Sequence, residues 1–242
     1  MKELWPRRVA ALTQLRVDDI TVPVLGRDDD HHLRRVLRAN VGEEIVLSDG
    51  RGAWRFASVA PSGLEVTSDV ARDPAPTTTT LYFAPLKGER AEWAIAKATE
   101  VGVSRVVPLL SERVAIKFRG EARDKILARW RRIAAETCGQ CRRTYDLVID
   151  DPLTPAEVPA DAAVADLVGD GAADVSGDWR GVSAVCVGPE GGWAPGEWEA
   201  ARRRVSLGPT VLRGETAAVV AAALVTFTNG SWGFTGSGSQ NG

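Results

Sequence analysis

Two glycine-bearing stretches are the residues best suited to hold a small polar ligand. The first is Val187-Gly188-Pro189-Glu190-Gly191-Gly192. The second runs from Ser206-Leu207-Gly208-Pro209 into Val211-Leu212-Arg213-Gly214-Glu215-Thr216-Ala217. Each follows a short β-type run, Ala184 to Val187 and Arg204 to Leu207, and each is read as leading into a helix. Without a Cβ, glycine lets the backbone come close to a ligand. In open α/β sheets, ligands bind at the carboxyl ends of the strands. Either stretch alone is as readily an ordinary strand-to-helix turn. As a pair they are more specific, because two such loops close in sequence can build one pocket from backbone groups.

The elements that must carry these loops read as strand and helix in alternation. Thr80 to Ala84 is a buried-type strand, and Lys87 to Val101 opens and completes a helix that Gly102 stops. Val106 to Leu110 is the next strand, with Pro108 marking a strand end or an edge. A long basic helix spans about Glu121 to Thr137, with Ile126, Trp130, Ile133 and Ala134 as its apolar stripe. Asp150 to Asp161 reads as loop, Ala162 to Ala165 as strand, and Gly169 to Arg180 as an aperiodic connection. Pro195 to Glu199 starts a helix, and Thr216 to Phe227 is a final helix, apolar all round and so buried, with a subunit interface as one way to bury it. Such alternation predicts an α/β fold with a parallel sheet covered by helices.

Ahead of it, residues 1–73 read as a small β-rich domain. Asp28, Asp29 and Asp30 are placed to cap a helix from His31 to Leu37. Glu44 to Leu47 and Trp54 to Ala60 pair through an Asp49-Gly50 hairpin, and Gly63 to Thr67 is a further strand. Short strands and tight turns suggest a small barrel. Ala71 to Thr77, with its prolines, is the expected linker, residues 74–228 form the second domain, and residues 229–242 are a Gly/Ser-rich tail expected to be disordered.

Composition narrows the function. Net charge is −2, so the whole chain does not announce a nucleic-acid binder. Its distribution matters more: from Arg113 to Arg143 ten basic residues stand against three acidic ones, an excess that could neutralise phosphates but that, taken alone, reads slightly more readily as a solvated helix face. No apolar run approaches a membrane span, and Met1 to Pro6 lacks a signal-peptide core, which points to a cytoplasmic protein. Three cysteines are too few for a disulfide framework. Cys138 and Cys141 have redox or zinc spacing, but no further ligands lie near them, and none lie near His31 and His32. No metal is expected.

The two glycine stretches, taken with Lys87-Gly88-x-Arg90, Lys97-Ala98-Thr99-Glu100-Val101-Gly102-Val103, Ser111-Glu112-Arg113, Gln140-Cys141-Arg142-Arg143 and the run His31 to Arg38, resemble the SPOUT methyltransferases and most closely the RsmE family. The resemblance covers residues 28–228. It implies a PUA-like N-terminal barrel that helps hold RNA, a SPOUT domain with a deep trefoil knot, and a homodimer with the cofactor pocket at its interface. It implies methyl transfer from S-adenosylmethionine to N3 of a uridine in 16S rRNA of the small ribosomal subunit. The cofactor would lie against Val187, Gly188, Pro189, Glu190, Gly191, Gly192, Ser206, Leu207, Gly208, Val211, Leu212, Thr216 and Ala217.

N3 of uridine lies on the pairing edge and carries a proton, so the base must be unpaired and the proton must leave. Cations beside the uracil carbonyls would stabilise the developing anion. Arg143, Arg213 and Arg113 are the candidates, with Glu215 as proton acceptor or as orienter of Arg213. Arg34, Arg35, Arg38, Lys87, Arg90 and Arg142 are the candidate RNA contacts. One position departs from the family pattern: Gly214 stands where threonine is usual. Glycine there removes a hydroxyl and is expected to loosen the loop, which keeps open a second role as an RNA-binding assembly factor without catalysis.

Overall fold

The β-branched and aromatic runs of the sequence form two sheets, one in each of two units. The computed structural model describes residues 4–116, 118–166, 175–198 and 202–230. One unit is Met1–Pro76 with Ala135–Asp146; the other is Thr77–Ala134 with Leu147–Gly242.

The N-terminal unit holds a five-stranded sheet: β1 (Gln14–Arg16), β2 (Glu44–Ser48), β3 (Ala53–Val59) and β4 (Leu64–Val66) in that order, with β5 (Ala71–Arg72) also on β3. β1 and β2 run parallel and the other pairs antiparallel. The β2–β3 hairpin turns where the Asp-Gly signal lies. The Asp49 carboxylate accepts the Arg51 and Ala53 N–H groups at 2.7 and 3.0 Å, and Gly50 and Gly52 take positive φ. Strand alternation sends Ile45, Leu47, Ala57 and Val59 to one core and Val46, Trp54 and Phe56 to another. α1 (Trp5–Ala10) and α2 (Arg27–His31) complete the unit. Asp28, Asp29 and Asp30 form the first turn of α2 rather than preceding it, and His32–Val36 continues as a single π-turn that buries Leu33.

Residues 71–73, expected as linker, are built into this unit. Ala71 and Arg72 pair with β3, and Asp73 accepts hydrogen bonds from Arg8, Trp54 and Thr144. Residues 135–146 are a part of the unit that sequence order hides. Gln14 Nε2 donates to the Arg143 carbonyl and Arg142 Nη2 to the Ala11 carbonyl, at 2.5 and 2.6 Å.

In the second unit seven strands pair in parallel throughout: β6 (Thr80–Phe83), β7 (Arg105–Pro108), β8 (Val148–Ile149), β9 (Ala163–Ala165), β10 (Val175–Ser176), β11 (Ala184–Val187) and β12 (Arg204–Val205). Their order is β10-β12-β9-β11-β6-β7-β8, so β11, late in the chain, lies between β9 and β6. Pro108 ends β7, a strand inside the sheet, which removes the edge alternative. β8 was not visible as a strand in the sequence.

Among the described residues this unit's α-helices are α3 (Glu89–Val101), α4 (Gly120–Gln140) and α5 (Gly214–Thr228). α3 is stopped by Gly102 in the left-handed conformation, as expected. Leu81, Phe83, Val106, Val185, Val187 and Val205 share a core with Ile95, Leu127, Trp130, Ala218, Ala222 and Val225 of the three helices. Intervening strand residues Tyr82, Val107, Val164 and Cys186 pack on the other side with Trp198 and Val158. A sheet buried on both faces is what the near-continuous apolar strands dictate. α5 packs on α3, β6 and β11. It is buried along Ala218, Ala221, Ala222 and Val225 but not all round, since Phe227 is exposed. Asn229 is anchored: its Nδ2 donates to the Val182 and Val225 carbonyls at 2.6 and 2.8 Å. The remaining tail, and part of the connection before Arg180, lie outside the described residues. Among the described residues no helix is long and apolar enough to cross a membrane.

Candidate functional site

Because every strand of the second unit is parallel, the segments after β6, β7, β11 and β12 emerge at one edge of the sheet. β11 and β12 both pair with β9, so the two glycine loops flank a single strand end.

The first loop is fixed at several points. Val187 ends β11 and its carbonyl accepts the Ala84 N–H at 3.0 Å. Gly188 lies against Trp193: a Cβ there would stand 2.9 Å from Trp193 Cε2, so only glycine fits. Trp193 is locked in turn, with Nε1 donating to the Ala165 carbonyl at 3.1 Å and an edge-on contact with Trp198 at 5.1 Å. Pro189 accepts the Gly192 N–H at 2.9 Å, and Gly192 takes φ +70° with open space where a Cβ would be. Arg113 reaches from the loop after β7 and donates Nη1 to the Gly191 carbonyl at 3.0 Å.

Glu197, read from sequence as part of a helix start, is instead a clasp. Its carboxylate accepts the Ala194 N–H at 2.7 Å, the Glu112 N–H at 2.6 Å and the Ser111 hydroxyl at 3.1 Å. Residues 191–198 are turns and bends rather than helix, and the continuation of that expected helix lies outside the described residues.

The second loop begins at the end of β12. Ser206 Oγ accepts the Gly208 N–H at 3.1 Å, while Trp179 Nε1 donates to the Ser206 carbonyl at 3.1 Å. Gly208 takes φ +125° with nothing within 4 Å of a would-be Cβ. Leu207 is half-buried against the core and Leu212 is half-buried. Val211 is 80% exposed, and Arg213 and Thr216 are exposed. Arg213 caps α5 in extended conformation, and its carbonyl accepts the Ala217 N–H at 2.8 Å. Gly214 is helical and buried. A Cβ there would meet the two Leu86 methyls at 2.8 and 3.2 Å and Glu190 Cγ at 3.6 Å. The loosening expected of this glycine is therefore replaced by close packing against the segment after β6.

The carboxylates of the two loops meet on one cation. Arg90, in the first turn of α3, pairs with Glu190 through both guanidinium nitrogens, and its Nη1 lies 3.8 Å from Glu215 Oε2. That Glu215 oxygen is buried and accepts no hydrogen bond. The bond to Glu190 holds the Arg90 guanidinium above its ordinary range. Arg213, Arg113, Glu215 and both loops thus belong to one constellation in the second unit.

The other sequence candidates are placed elsewhere. Arg143 belongs to the N-terminal unit, with Nε donating to the Tyr145 carbonyl at 3.1 Å. Arg142, at φ +62°, spends its guanidinium on the Gly139 and Ala11 carbonyls, and burial beside Arg8 lowers its pKa. Arg34 is tied to Asp30 and to the Ala60 and Gly63 carbonyls, whereas Arg35, Arg38 and Lys87 are exposed. Sequence reasoning missed Leu86, Trp193 and the clasp by Glu197. A tryptophan directly after Gly-Gly was the one signal available for them. Among the described residues no group of three or more His, Cys, Asp and Glu is gathered as a metal site.

Comparison with known proteins assigns this architecture. Residues 73–226 match the RNA methyltransferase domain and residues 25–66 the RNA methyltransferase PUA domain. A SPOUT-type parallel α/β domain with glycine loops at one sheet edge, joined to a PUA-like domain, defines an RNA methyltransferase. The chain is 33% identical to ribosomal RNA small subunit methyltransferase E of Mycobacterium bovis, over 89% of this chain and 90% of that one. It is 32% identical to the Synechocystis protein of the same name, over 81% and 69%. It belongs to the ribosomal RNA small subunit methyltransferase E family. Among solved structures, that enzyme from Neisseria gonorrhoeae, bound to S-adenosyl methionine, aligns with a TM-score of 0.73 at 27% identity, covering 87% of this chain and 95% of that one. A putative methyltransferase from Legionella pneumophila, also with bound S-adenosyl methionine, aligns with a TM-score of 0.76 at 25% identity, over 88% and 96%.

Proposed function

We propose that this chain transfers the methyl group of S-adenosylmethionine to N3 of a uridine in 16S rRNA of the small ribosomal subunit. The observation that carries the reading is the pair of glycine loops at neighbouring strand ends, pinned to one another through Arg90 and to the loop after β7 through Arg113 and Glu197. The residues present fit the cofactor. Gly192 and Gly208 leave open space beside the backbone, and Leu207 and Leu212 supply half-buried apolar surface. When bound, S-adenosylmethionine supplies an activated methyl on a sulfonium, so the protein's task is to bind and orient.

Val187 to Gly192 and Ser206 to Ala217 line that pocket in this reading. Glu215, whose buried Oε2 accepts no hydrogen bond and lies 3.8 Å from Arg90 Nη1, accepts the N3 proton, and Arg213 and Arg113 stabilise the anionic uracil. Arg143 is kept as a candidate cation on its place in the Gln140 to Arg143 motif alone. The N-terminal unit presents exposed Arg35 and Arg38 to RNA, and the second unit presents exposed Lys87. We place the protein in the cytoplasm as a homodimer, with residues 1–73 and 74–228 as its RNA-holding and catalytic domains.

The test is methyl transfer to small subunits that lack the modification, mapped by reverse transcription. N3 methylation blocks pairing and stops the polymerase at one uridine, whereas ribose methylation permits read-through at ample nucleotide. Absence of methyl incorporation by folded protein, on subunits and on naked RNA, would overturn the reading.

A further inference from the structure

Glu190 and Glu215 come from different loops of the site, yet they are brought close together. Glu190 Cγ lies 3.6 Å from the position of a Cβ at Gly214, the residue before Glu215. Glu215 is 15% exposed at its side chain and Glu190 is 45% exposed. Two carboxylates so placed repel, and the repulsion is least screened at the more buried one. Between them stands Arg90 from the first turn of α3, bidentate to Glu190 and 3.8 Å from Glu215 Oε2. Among the described residues, Arg90 provides the ion pairs of both carboxylates. The cation belongs to neither glycine loop. It ties both to α3, which packs against α5.

We propose that Arg90 is a positioning residue of the cofactor pocket: its guanidinium is the shared counter-ion that lets the loop of Glu190 and the helix start of Glu215 close on one ligand. Its basic character had suggested an RNA contact, but its partners are two acids of the pocket. The inference rests on the reading of that pocket as an S-adenosylmethionine site. It makes a sharper claim than loss of a salt bridge. If Arg90 acts by neutralising like charges, then removing one of those charges must compensate for its loss.

The experiment measures S-adenosylmethionine binding by calorimetry for wild type, Arg90→Met, Arg90→Lys, Glu190→Gln and the double variant Arg90→Met/Glu190→Gln. KM for RNA is measured alongside, with thermal melts to confirm folding. Hydrogen exchange of the cofactor-free proteins follows residues 188–194 and 212–218. Expected is a loss of affinity of roughly fivefold in Arg90→Met, on the scale of a partly screened charge pair, with partial recovery in Arg90→Lys. The double variant should bind more tightly than Arg90→Met alone, and exchange in both segments should rise and fall with affinity. RNA KM should change little. Unchanged affinity and exchange in Arg90→Met would overturn the proposal. So would a double variant no better than the single one, with a raised RNA KM, which would return Arg90 to the RNA. If the wild type binds no S-adenosylmethionine, the reading of the pocket fails, and exchange in the cofactor-free proteins still decides whether Arg90 closes the two segments.

Discussion

Restoring a side chain at Gly214 should destabilise the protein, because the space is already taken. A Cβ at this position would lie 2.8 and 3.2 Å from the two methyls of Leu86, against an ordinary carbon–carbon contact of about 3.5–4.0 Å. Leu86 cannot simply swing outward, since it is 5% exposed and part of the core that includes Phe83 and Ala91. Overpacking of this kind costs about 1–3 kcal/mol. Against it, exchanging glycine for alanine in a helix gains at most about 1 kcal/mol, and less at a first-turn position. Gly214→Ala should therefore lose about 1 kcal/mol, and Gly214→Thr, with two more heavy atoms, about 2 kcal/mol. For a chain of this size the latter lowers the melting temperature by about 4–8 °C.

The decisive version is a double-mutant cycle with Leu86→Ala, read by denaturant unfolding. Leu86→Ala alone should cost about 2–5 kcal/mol by opening a cavity. With that cavity present, the methyl of Gly214→Ala has somewhere to go, so the pair should be more stable than the sum of the singles by about 1 kcal/mol or more. Additivity within about 0.5 kcal/mol, or a stabilising Gly214→Ala, would refute the packing argument and restore the simpler idea that this glycine loosens the loop.

Three further outcomes follow from the same geometry. Glu197→Ala removes the acceptor for two backbone N–H groups and the Ser111 hydroxyl, and should cost about 2 kcal/mol in a urea melt while weakening S-adenosylmethionine binding; an unchanged melt would mean water replaces the carboxylate. Trp130→Ala, in contact with Phe83 and Phe118 and 2% exposed, should cost about 3–5 kcal/mol, and a loss under 1 kcal/mol would contradict its central place in the core. Burial pushes the Cys186 thiol well above its ordinary range, so at pH 8 it stays neutral while the reactive species is the thiolate. A thiol reagent should then label half-buried Cys141 first and reach Cys186 and Cys138 only on unfolding, and rapid labelling of native Cys186 would contradict this.

The parallel sheet was readable in the sequence because its strands are short apolar runs separated by helix-period segments, and Gly102 marks the stop of α3 without any tertiary help. The hairpin at Asp49 was equally local. What escaped the sequence was set by distant partners. β8 is two residues long and exists because Val106 pairs with Ile149. The end of α4 carries no mark that it packs with β1, yet Gly139 sits so close to Gln14 that a Cβ would be 2.7 Å from its carbonyl. Arg142 and Arg34 looked like solvent-facing cations and are largely spent on backbone carbonyls. Charge counted along a sequence cannot say whether an arginine is free to meet phosphate.

The site teaches the same point in a sharper form. Glycines in the two loops give the backbone access to a ligand, but they also raise the entropy that must be lost to hold the loops still. Little inside the loops themselves can supply that rigidity without filling the space. It comes from side chains outside them: Trp193 against Gly188, Arg113 on the Gly191 carbonyl, Glu197 across to Ser111 and Glu112, and Leu86 beneath Gly214. Each lies beyond the motif it supports, in a segment following the end of another strand or in the turn that follows the loop. A substitution that spares every motif residue can therefore still disable the pocket, and its effect should appear first as weaker cofactor binding and faster hydrogen exchange rather than as a lost reacting group.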